Sequence, residues 1–438
     1  MQMWISVAVF IGTYILISSE KVDKTISVIL GVSLMFILGL VPFETAVKAI
    51  DLNVIFLLVG MMICVSLLAK TGFFEWMAVT VAKASKGEPL RILLLFLVVT
   101  TFFSAFLDNV TTILLLAPVT ILIAQLLEIS AIPFLILEAV ASNIGGTATL
   151  IGDPPNIIIG SQAGLSFNDF LVHLGPVIVI IFSVFSLTVY FLFRKRWKID
   201  DTIKMRVIEA IPRLAIVNKA NMIRALAVLG VVFIGFFTHT LTNLKPGIIA
   251  LCGGAVMMLF CRAEVDKIFK KIEWDVIFFF IGLFMLIAAL EYNGVIEFAA
   301  GGLIKLAGNN FFLLCALILC GSALFSSIMD NIPFVITMVP MIKTLVLKIA
   351  VIQGIGEPAL VHNLVAQPLW WSLALGACLG GNGTMIGASA NVIAAKISVR
   401  NKCPITFGRF FKYGFPFMLQ SLVISLIYIW VRYFVLQH

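Results

Sequence analysis

Four clusters of polar residues interrupt apolar stretches of this chain, and they come as two pairs. One pair is Asp108-Asn109-Val110-Thr111-Thr112 and Asp330-Asn331-Ile332-Pro333. The other is Ser142-Asn143-Ile144-Gly145-Gly146-Thr147-Ala148-Thr149, running on through Gly152-Asp153-Pro154-Pro155-Asn156, and Gly380-Gly381-Asn382-Gly383-Thr384, running on through Gly387-Ala388-Ser389-Ala390-Asn391. Carboxylates hold cations or carry protons, and Asn, Thr and Ser supply neutral oxygen ligands. Glycine and proline break helices, and Pro154-Pro155 cannot continue one. Helix breaks free carbonyls for cations, while half-helix N-termini favour anions.

Asp108 and Asp330 are thus the candidate proton- or cation-binding groups, with Asp153 beside them. Asn109, Thr111, Asn143, Thr147, Asn331, Asn382 and Thr384 are candidate ligands to substrate or coupling ion. Thr112, Ser142, Thr149, Asn156, Ser389 and Asn391 complete the clusters. Gly145, Gly146, Gly381 and Gly383 would let backbone approach a ligand. A sodium ion would sit among Asn109, Asn143, Asn331 and Asn382. The competing reading makes Asp108 and Asp330 plain helix caps, but ionisable groups at membrane depth mark function by default. Glu138 is a candidate buried relay. Glu75 and Glu297 read as interfacial, and His173, His239 and His362 lie at span ends without metal-ligand spacing.

These clusters need a membrane around them. Of the 438 residues 61% are hydrophobic and only 12% charged, against about 25% charged in a soluble domain. Lipid must face most of the surface. A bilayer core needs about 20 helical residues per crossing. Strands are excluded by the lack of alternating ten-residue segments, so the spans are helices. The net charge of +8 reflects basic residues flanking spans and gives no ground for a nucleic-acid partner. The seven cysteines form no CxxC pair and read as packing residues. Met1–Ser18 lacks a basic leader region and reads as a retained first span.

The chain is written twice. Val54-Ile55-Phe56 with Gly60 repeats as Val276-Ile277-Phe278 with Gly282, 222 residues later. The same offset joins Gly72 to Gly294, Glu75 to Glu297, Ser104 to Ser326, Asp108-Asn109 to Asp330-Asn331 and Pro118 to Pro340. Further on, Thr149, Gly152 and Asn156 match Thr384, Gly387 and Asn391 at an offset of 235. Each half reads as three spans, a short amphipathic helix, an apolar block cut by Asp-Asn, an interrupted Gly-rich span and a last span. The first repeat is 1–193: scaffold spans in 1–91, hairpin and broken helix in 92–170, last span 171–193. A linker, 194–221, follows. The second repeat is 222–438: scaffold spans in 222–310, hairpin and broken helix in 311–400, last span 415–436.

The Asp-Asn blocks read either as two spans each or as re-entrant hairpins with the pair at the tip. Hairpins give five crossings per half, and an odd number makes the repeats inverted. With the linker in the cytoplasm, 23 of the 30 Lys and Arg residues fall inside and six outside. That split supports ten spans, two hairpins and both termini outside.

The motifs Phe103–Thr112, Ser142–Asn156, Ser326–Pro333 and Gly380–Asn391 resemble the ion transporter superfamily, most of all its P protein (pink-eyed dilution) and arsenite-permease branch with a citrate-transporter-like domain. The resemblance runs over essentially the whole chain. It implies a scaffold domain, a mobile transport domain of hairpins and broken helices, an elevator motion and a homodimer. Related sodium–dicarboxylate carriers have Ser-Asn-Thr at the hairpin tips. Here Asp-Asn stands there, as in related sodium–proton antiporters, and a fixed negative charge repels a dianion unless a cation neutralises it. The arsenite resemblance also implies a neutral oxyacid cargo and an ATPase subunit as a partner.

The expectation is an all-α, multi-pass protein of a cell or inner membrane, with no cofactor beyond a sodium ion or proton. It would be a secondary-active ion transporter, arsenite- or anion-permease-like, with sodium–proton antiport as the alternative. It is not expected to be an enzyme. An intramembrane aspartyl protease would pair its carboxylates on neighbouring helices, whereas here they occupy equivalent repeat positions. A passive channel is the remaining rival, and no G-x-x-x-x-G-K-[ST] loop points to a self-contained ATP-driven pump.

Overall fold

The computed structural model describes residues 1–19, 21–197, 199–308 and 310–436. Lys198, which ends the basic run opening the linker, and the last two residues of the second repeat lie outside the described residues. The first repeat folds as α1 Gln2–Ser18, α2 Lys24–Ile37, α3 Phe43–Lys48, α4 Leu52–Ala69, α5 Phe73–Ala84, α6 Pro89–Phe106, α7 Asn109–Leu126, α8 Ile132–Gly146, α9 Pro154–Ala163, α10 Phe167–His173 and α11 Gly175–Phe193. The linker carries α12 Asp201–Ile208. The same series then returns: α13 Lys219–Thr242, α14 Pro246–Phe260, α15 Val265–Phe269, α16 Trp274–Tyr292, α17 Val295–Ala307, α18 Phe311–Ile328 and α19 Asn331–Ile352. A three-residue turn, α20 Pro358–Leu360, runs through a π-helical stretch, Val361–Ala366, into α21 Gln367–Gly380. α22 Ser389–Arg400 and α23 Phe407–Trp430 complete it.

Among the described residues, ten helices are long and apolar enough to cross a bilayer. They are not the ten expected crossings one for one. They include the four hairpin helices α6, α7, α18 and α19, while α1, α2, α8 and α14 are shorter apolar helices.

Contacts to the linker and to the chain ends decide how the hairpins lie. Lys204 on α12 pairs with Glu88, just before α6, at 2.8 Å. Arg206 on the same helix pairs with Glu128, just after α7, at 2.8 Å. Both feet of the first hairpin therefore stand on the linker side. The Glu88 and Asp201 carboxylates, which accept from the Lys204 ammonium, push its pKa up. The second hairpin stands on the opposite side. Its two feet, Asn310–Phe312 and Gln353–Ile355, line one cavity of about 790 Å³ with Tyr433 and Phe434 at the far end of α23. The near end of α23 is on the linker side, where Arg196 donates to the Tyr413 hydroxyl at 3.0 Å. Two hairpins entering from opposite sides make the repeats inverted.

A pseudo-two-fold also shows in how the repeats exchange partners. α4 packs on α14, and its mate α16 packs on α2. At these crossings Gly60 abuts the Ala250 backbone and Gly282 abuts Val28. Both pairs obey the offset of 222. A β-carbon at Gly60 would lie 2.3 Å from the Ala250 carbonyl carbon, which is why glycine holds this close helix crossing. The innermost elements are α8 and α21, whose every residue is buried. Around them the outer faces of α2, α11 and α13 expose large apolar side chains such as Leu30, Leu187 and Ile234, as lipid contact requires.

Candidate functional site

Each hairpin turns within two residues, and a carboxylate caps the helix that leaves the turn. Asp108 Oδ1 accepts from the Thr111 amide at 2.7 Å, and Asp330 Oδ1 accepts from the Ile332 amide at 3.3 Å. One oxygen of each carboxylate thus satisfies an orphan helix-start N–H. The second oxygens differ. Asp108 Oδ2 accepts from the Thr111 hydroxyl at 2.5 Å. Asp330 Oδ2 accepts from the Ser389 hydroxyl at 2.8 Å and from the Lys24 ammonium at 3.3 Å.

The helix breaks are stitched by side chains. Asn156 Nδ2 donates to the carbonyls of Gly146, Thr147 and Thr149 at 3.4, 3.1 and 2.9 Å. Its mate Asn391 donates to those of Gly381 and Thr384 at 2.8 and 3.0 Å. These bonds serve carbonyls that the end of a helix leaves open, which broken backbone at membrane depth demands. The hairpins are tied to the breaks in the same symmetric way. Ser104 donates to the Ser142 carbonyl at 2.6 Å, and Ser326 to the Ala377 carbonyl at 2.6 Å. Thr149 donates to the Ala105 carbonyl and Thr384 to the Ser327 carbonyl.

Both tips lead to one carboxylate that symmetry does not duplicate. Asp153 is fully buried, and at the offset of 235 its mate is Ala388. Asn109 Nδ2, from the first tip, donates to Asp153 Oδ1 at 3.1 Å. Asn331 Nδ2, from the second tip, donates to Asp153 Oδ2 at 3.2 Å. Asp108 and Asp330 directly precede these two asparagines at the hairpin tips. An amide chain continues from there: Asn109 Nδ2 donates to Asn143 Oδ1 at 3.1 Å, and Asn143 Nδ2 donates to Asn382 Oδ1 at 2.9 Å and Asn391 Oδ1 at 3.0 Å. Asn382 Nδ2 is enclosed without a protein partner among the described residues, leaving its two N–H donors open to ligand oxygens.

The expected ligands therefore separate into two groups. Asn109, Asn143, Asp153, Asn331, Asn382 and Asn391 form one continuous buried network, while Asp330 and Ser389 form a second cluster with Lys24. Thr111 and Thr112 close the α7 cap, Thr112 through the Asp108 carbonyl at 2.9 Å. Thr147 donates to the Asn143 carbonyl at 2.7 Å, and Ser142 to the Asn109 carbonyl at 3.1 Å. The glycines pack against protein backbone or side chains: Gly145 on Thr101, Gly146 on Gly152, Gly381 on Gly387 and Ala388, and Gly383 on Ser327 and Met418. Glu138 is fully enclosed. Thr120 donates to its Oε1 at 2.8 Å, and its Oε2 has no partner among the described residues.

Three participants were absent from the sequence-based site. Lys24, read there as a flanking charge, holds Asp330, with its ammonium 5.0 Å from the centre of the Phe279 ring. Tyr14 donates to the Pro333 carbonyl at 2.6 Å and bonds Thr337 at 2.9 Å. Cys378 lies 3.4 Å from Asn156 Oδ1 and is the offset-235 mate of Asn143, a pairing the repeat register makes visible.

Comparison with known proteins agrees with this architecture. A family model described as "Citrate transporter" matches residues 14–376. A "46 kDa membrane protein" of Mycobacterium leprae is 41% identical over 437 residues, covering 99% of each chain. An "uncharacterized transporter" of Mycobacterium tuberculosis is 42% identical over 436 residues, covering 98% of this chain and 99% of its own. The P protein of Mus musculus is 32% identical over 512 residues, covering 98% of this chain and 60% of that longer one. Among solved structures, the YdaH transporter of Alcanivorax borkumensis superposes with a TM-score of 0.61 at 13% identity, over 89% of this chain and 88% of that one.

Proposed function

The chain belongs to the citrate transporter family, and from that premise we propose that it is a secondary-active transporter of a small ion, coupled to protons or sodium, working by alternating access. The observation that carries this reading is the convergence of both hairpin tips on the buried Asp153. A site formed by two inverted hairpins is reached from either membrane side by moving them together. Asp153 and Asp330 take up the coupling cation or proton. Asn109, Asn143, Asn331 and Asn382 orient the cargo or ligate sodium.

The hairpins and broken helices are bonded to one another through matched serine, threonine and asparagine contacts. They meet the scaffold helices through a few polar contacts, among them Lys24–Asp330, Tyr14–Pro333 and Asn53–Ser161. This contrast supports an elevator in which the former move as a body. The excess of basic residues on the linker side supports a cytoplasmic linker and outward-facing termini.

Three carboxylates against one ammonium favour a second reading, sodium–proton exchange, since free citrate would meet net repulsion there. The experiment is lumenal pH in proteoliposomes under an imposed sodium gradient, with and without citrate or arsenite outside. Proton movement without either cargo selects exchange. Movement that requires cargo selects coupled cargo transport. A sodium- and proton-independent leak that does not saturate rejects both.

A further inference from the structure

The pseudo-two-fold is obeyed within the scaffold and within the hairpin unit, but not between them. Within the scaffold, Asn53 Oδ1 accepts from the Gly247 amide at 2.8 Å. Its mate is the Thr25 hydroxyl donating to the Asp275 carbonyl at 2.9 Å. The residue pairs 53/275 and 25/247 both differ by 222. Within the hairpin unit, the Asn156 and Asn391 clamps match at 235. Across the boundary the match fails. Asn53 at the start of α4 donates to Ser161 near the end of α9 at 3.0 Å, and both are half-buried. The symmetry mates of these two residues are Asp275, at the start of α16, and Lys396, in α22. No hydrogen bond or ion pair joins Asp275 to Lys396 among the described residues, and both are exposed.

This asymmetry says which side is closed. α4 starts, and α9 ends, on the side away from the linker, and there the hairpin unit touches the scaffold. α16 starts on the linker side, where Lys24 meets Asp330 at the second hairpin tip and Ser389 but the contact corresponding to Asn53–Ser161 is open. Two units that are each symmetric, docked asymmetrically, have a second docking of the same kind obtained by exchanging the repeats. In that docking Lys396 takes the place of Ser161 and Asp275 that of Asn53.

We propose that Asp275 and Lys396 form an ion pair that closes the linker side in the opposite conformational state, as Asn53 and Ser161 close the far side in this one. The inference rests on the alternating-access reading above and adds the residues that hold its second state. The side chains themselves are independent support. The positions that symmetry brings together carry opposite charges, although neither side chain has a bonding partner among the described residues: Lys396 sits on the exposed face of an otherwise buried helix stretch, and Asp275 is bonded by Thr25 through its backbone carbonyl. The two contacts are mutually exclusive, so each conformer keeps one and breaks the other.

The test uses paired cysteines in the full-length protein, reconstituted with native cysteines present and the unaltered protein as the control for background bridges. Asn53→Cys with Ser161→Cys is expected to cross-link in the resting state. Asp275→Cys with Lys396→Cys is expected to cross-link only while the carrier is turning over, and each bridge should block flux until reduced. A four-cysteine version should form either bridge but not both. Charge reversal provides a readout that does not depend on cross-linking: Asp275→Lys or Lys396→Asp alone should slow flux about fivefold, and the double reversal should restore it. If Asp275→Cys/Lys396→Cys protein transports at the normal rate yet never cross-links during turnover, and the double reversal fails to rescue the singles, the pairing is wrong while transport stands. If the unaltered protein shows no coupled flux, the transporter reading itself fails.

Discussion

Among the described residues Lys24 is the one fixed cation bonded to a tip carboxylate, and removing it should change how tightly the coupling cation binds. Its ammonium lies 3.3 Å from Asp330 Oδ2, with the two side chains 29% and 14% exposed. At that distance an effective dielectric of about 20 gives a gross attraction of about 5 kcal/mol. Desolvation of both groups and partial solvent screening offset most of it, leaving about 1–2 kcal/mol. A cation or proton arriving at Asp330 must displace this ammonium, so the pair raises the concentration needed for half-saturation. About 1.4 kcal/mol corresponds to a factor of ten. Lys24→Ala should therefore lower the half-activating concentration of the coupling cation about tenfold. It should also loosen coupling, because the empty carrier is no longer held to α2. The assay is initial flux in proteoliposomes against cation concentration, with Lys24→Arg as the charge-retaining control. An unchanged half-activating concentration in an active Lys24→Ala protein would refute the competition.

Other outcomes follow from the same geometry. Asp153→Asn keeps shape but sets an amide donor against the Asn109 or Asn331 amide; coupled flux should be lost while thermal stability in detergent falls by only about 1–2 kcal/mol. Asn391→Ala strips the donor from the Gly381 and Thr384 carbonyls and should cost about 1–3 kcal/mol, seen as a lowered Tm in detergent. Gly60→Ala drives a methyl into the Ala250 backbone and should cost about 1–3 kcal/mol or prevent assembly, read from folded yield. By contrast, Arg206→Ala at the exposed Arg206–Glu128 pair should change stability by less than about 1 kcal/mol and leave flux intact.

Much of the fold was legible because polar residues and prolines kept register between the halves, something hydrophobicity alone does not do. Asp108 and Asp330 drew attention as an equivalent pair. The structure shows them differing, one capped by its own helix and one held by Lys24. Symmetry also hid the centre. Asp153 has Ala388 as its mate, so the repeat pattern gave no reason to rank it above the tips. Lys24 could not be found by spacing. It lies 306 residues from Asp330, and a lysine opening an apolar helix looks like any flanking charge. In the sequence the glycine clusters read as room for a ligand. In the structure Gly145 and Gly383 bring the broken helices against their own hairpins, and Gly146 and Gly381 close the breaks on themselves, packing that depends on which backbone lies opposite.

The most direct test is uphill uptake by reconstituted protein, compared with Asp153→Asn protein shown to be folded at the assay temperature. An inward proton or sodium gradient should drive accumulation of the transported ion above its outside concentration, and Asp153→Asn should abolish this accumulation. Flux that only runs downhill, or uphill uptake undiminished in Asp153→Asn, would contradict coupled transport through Asp153.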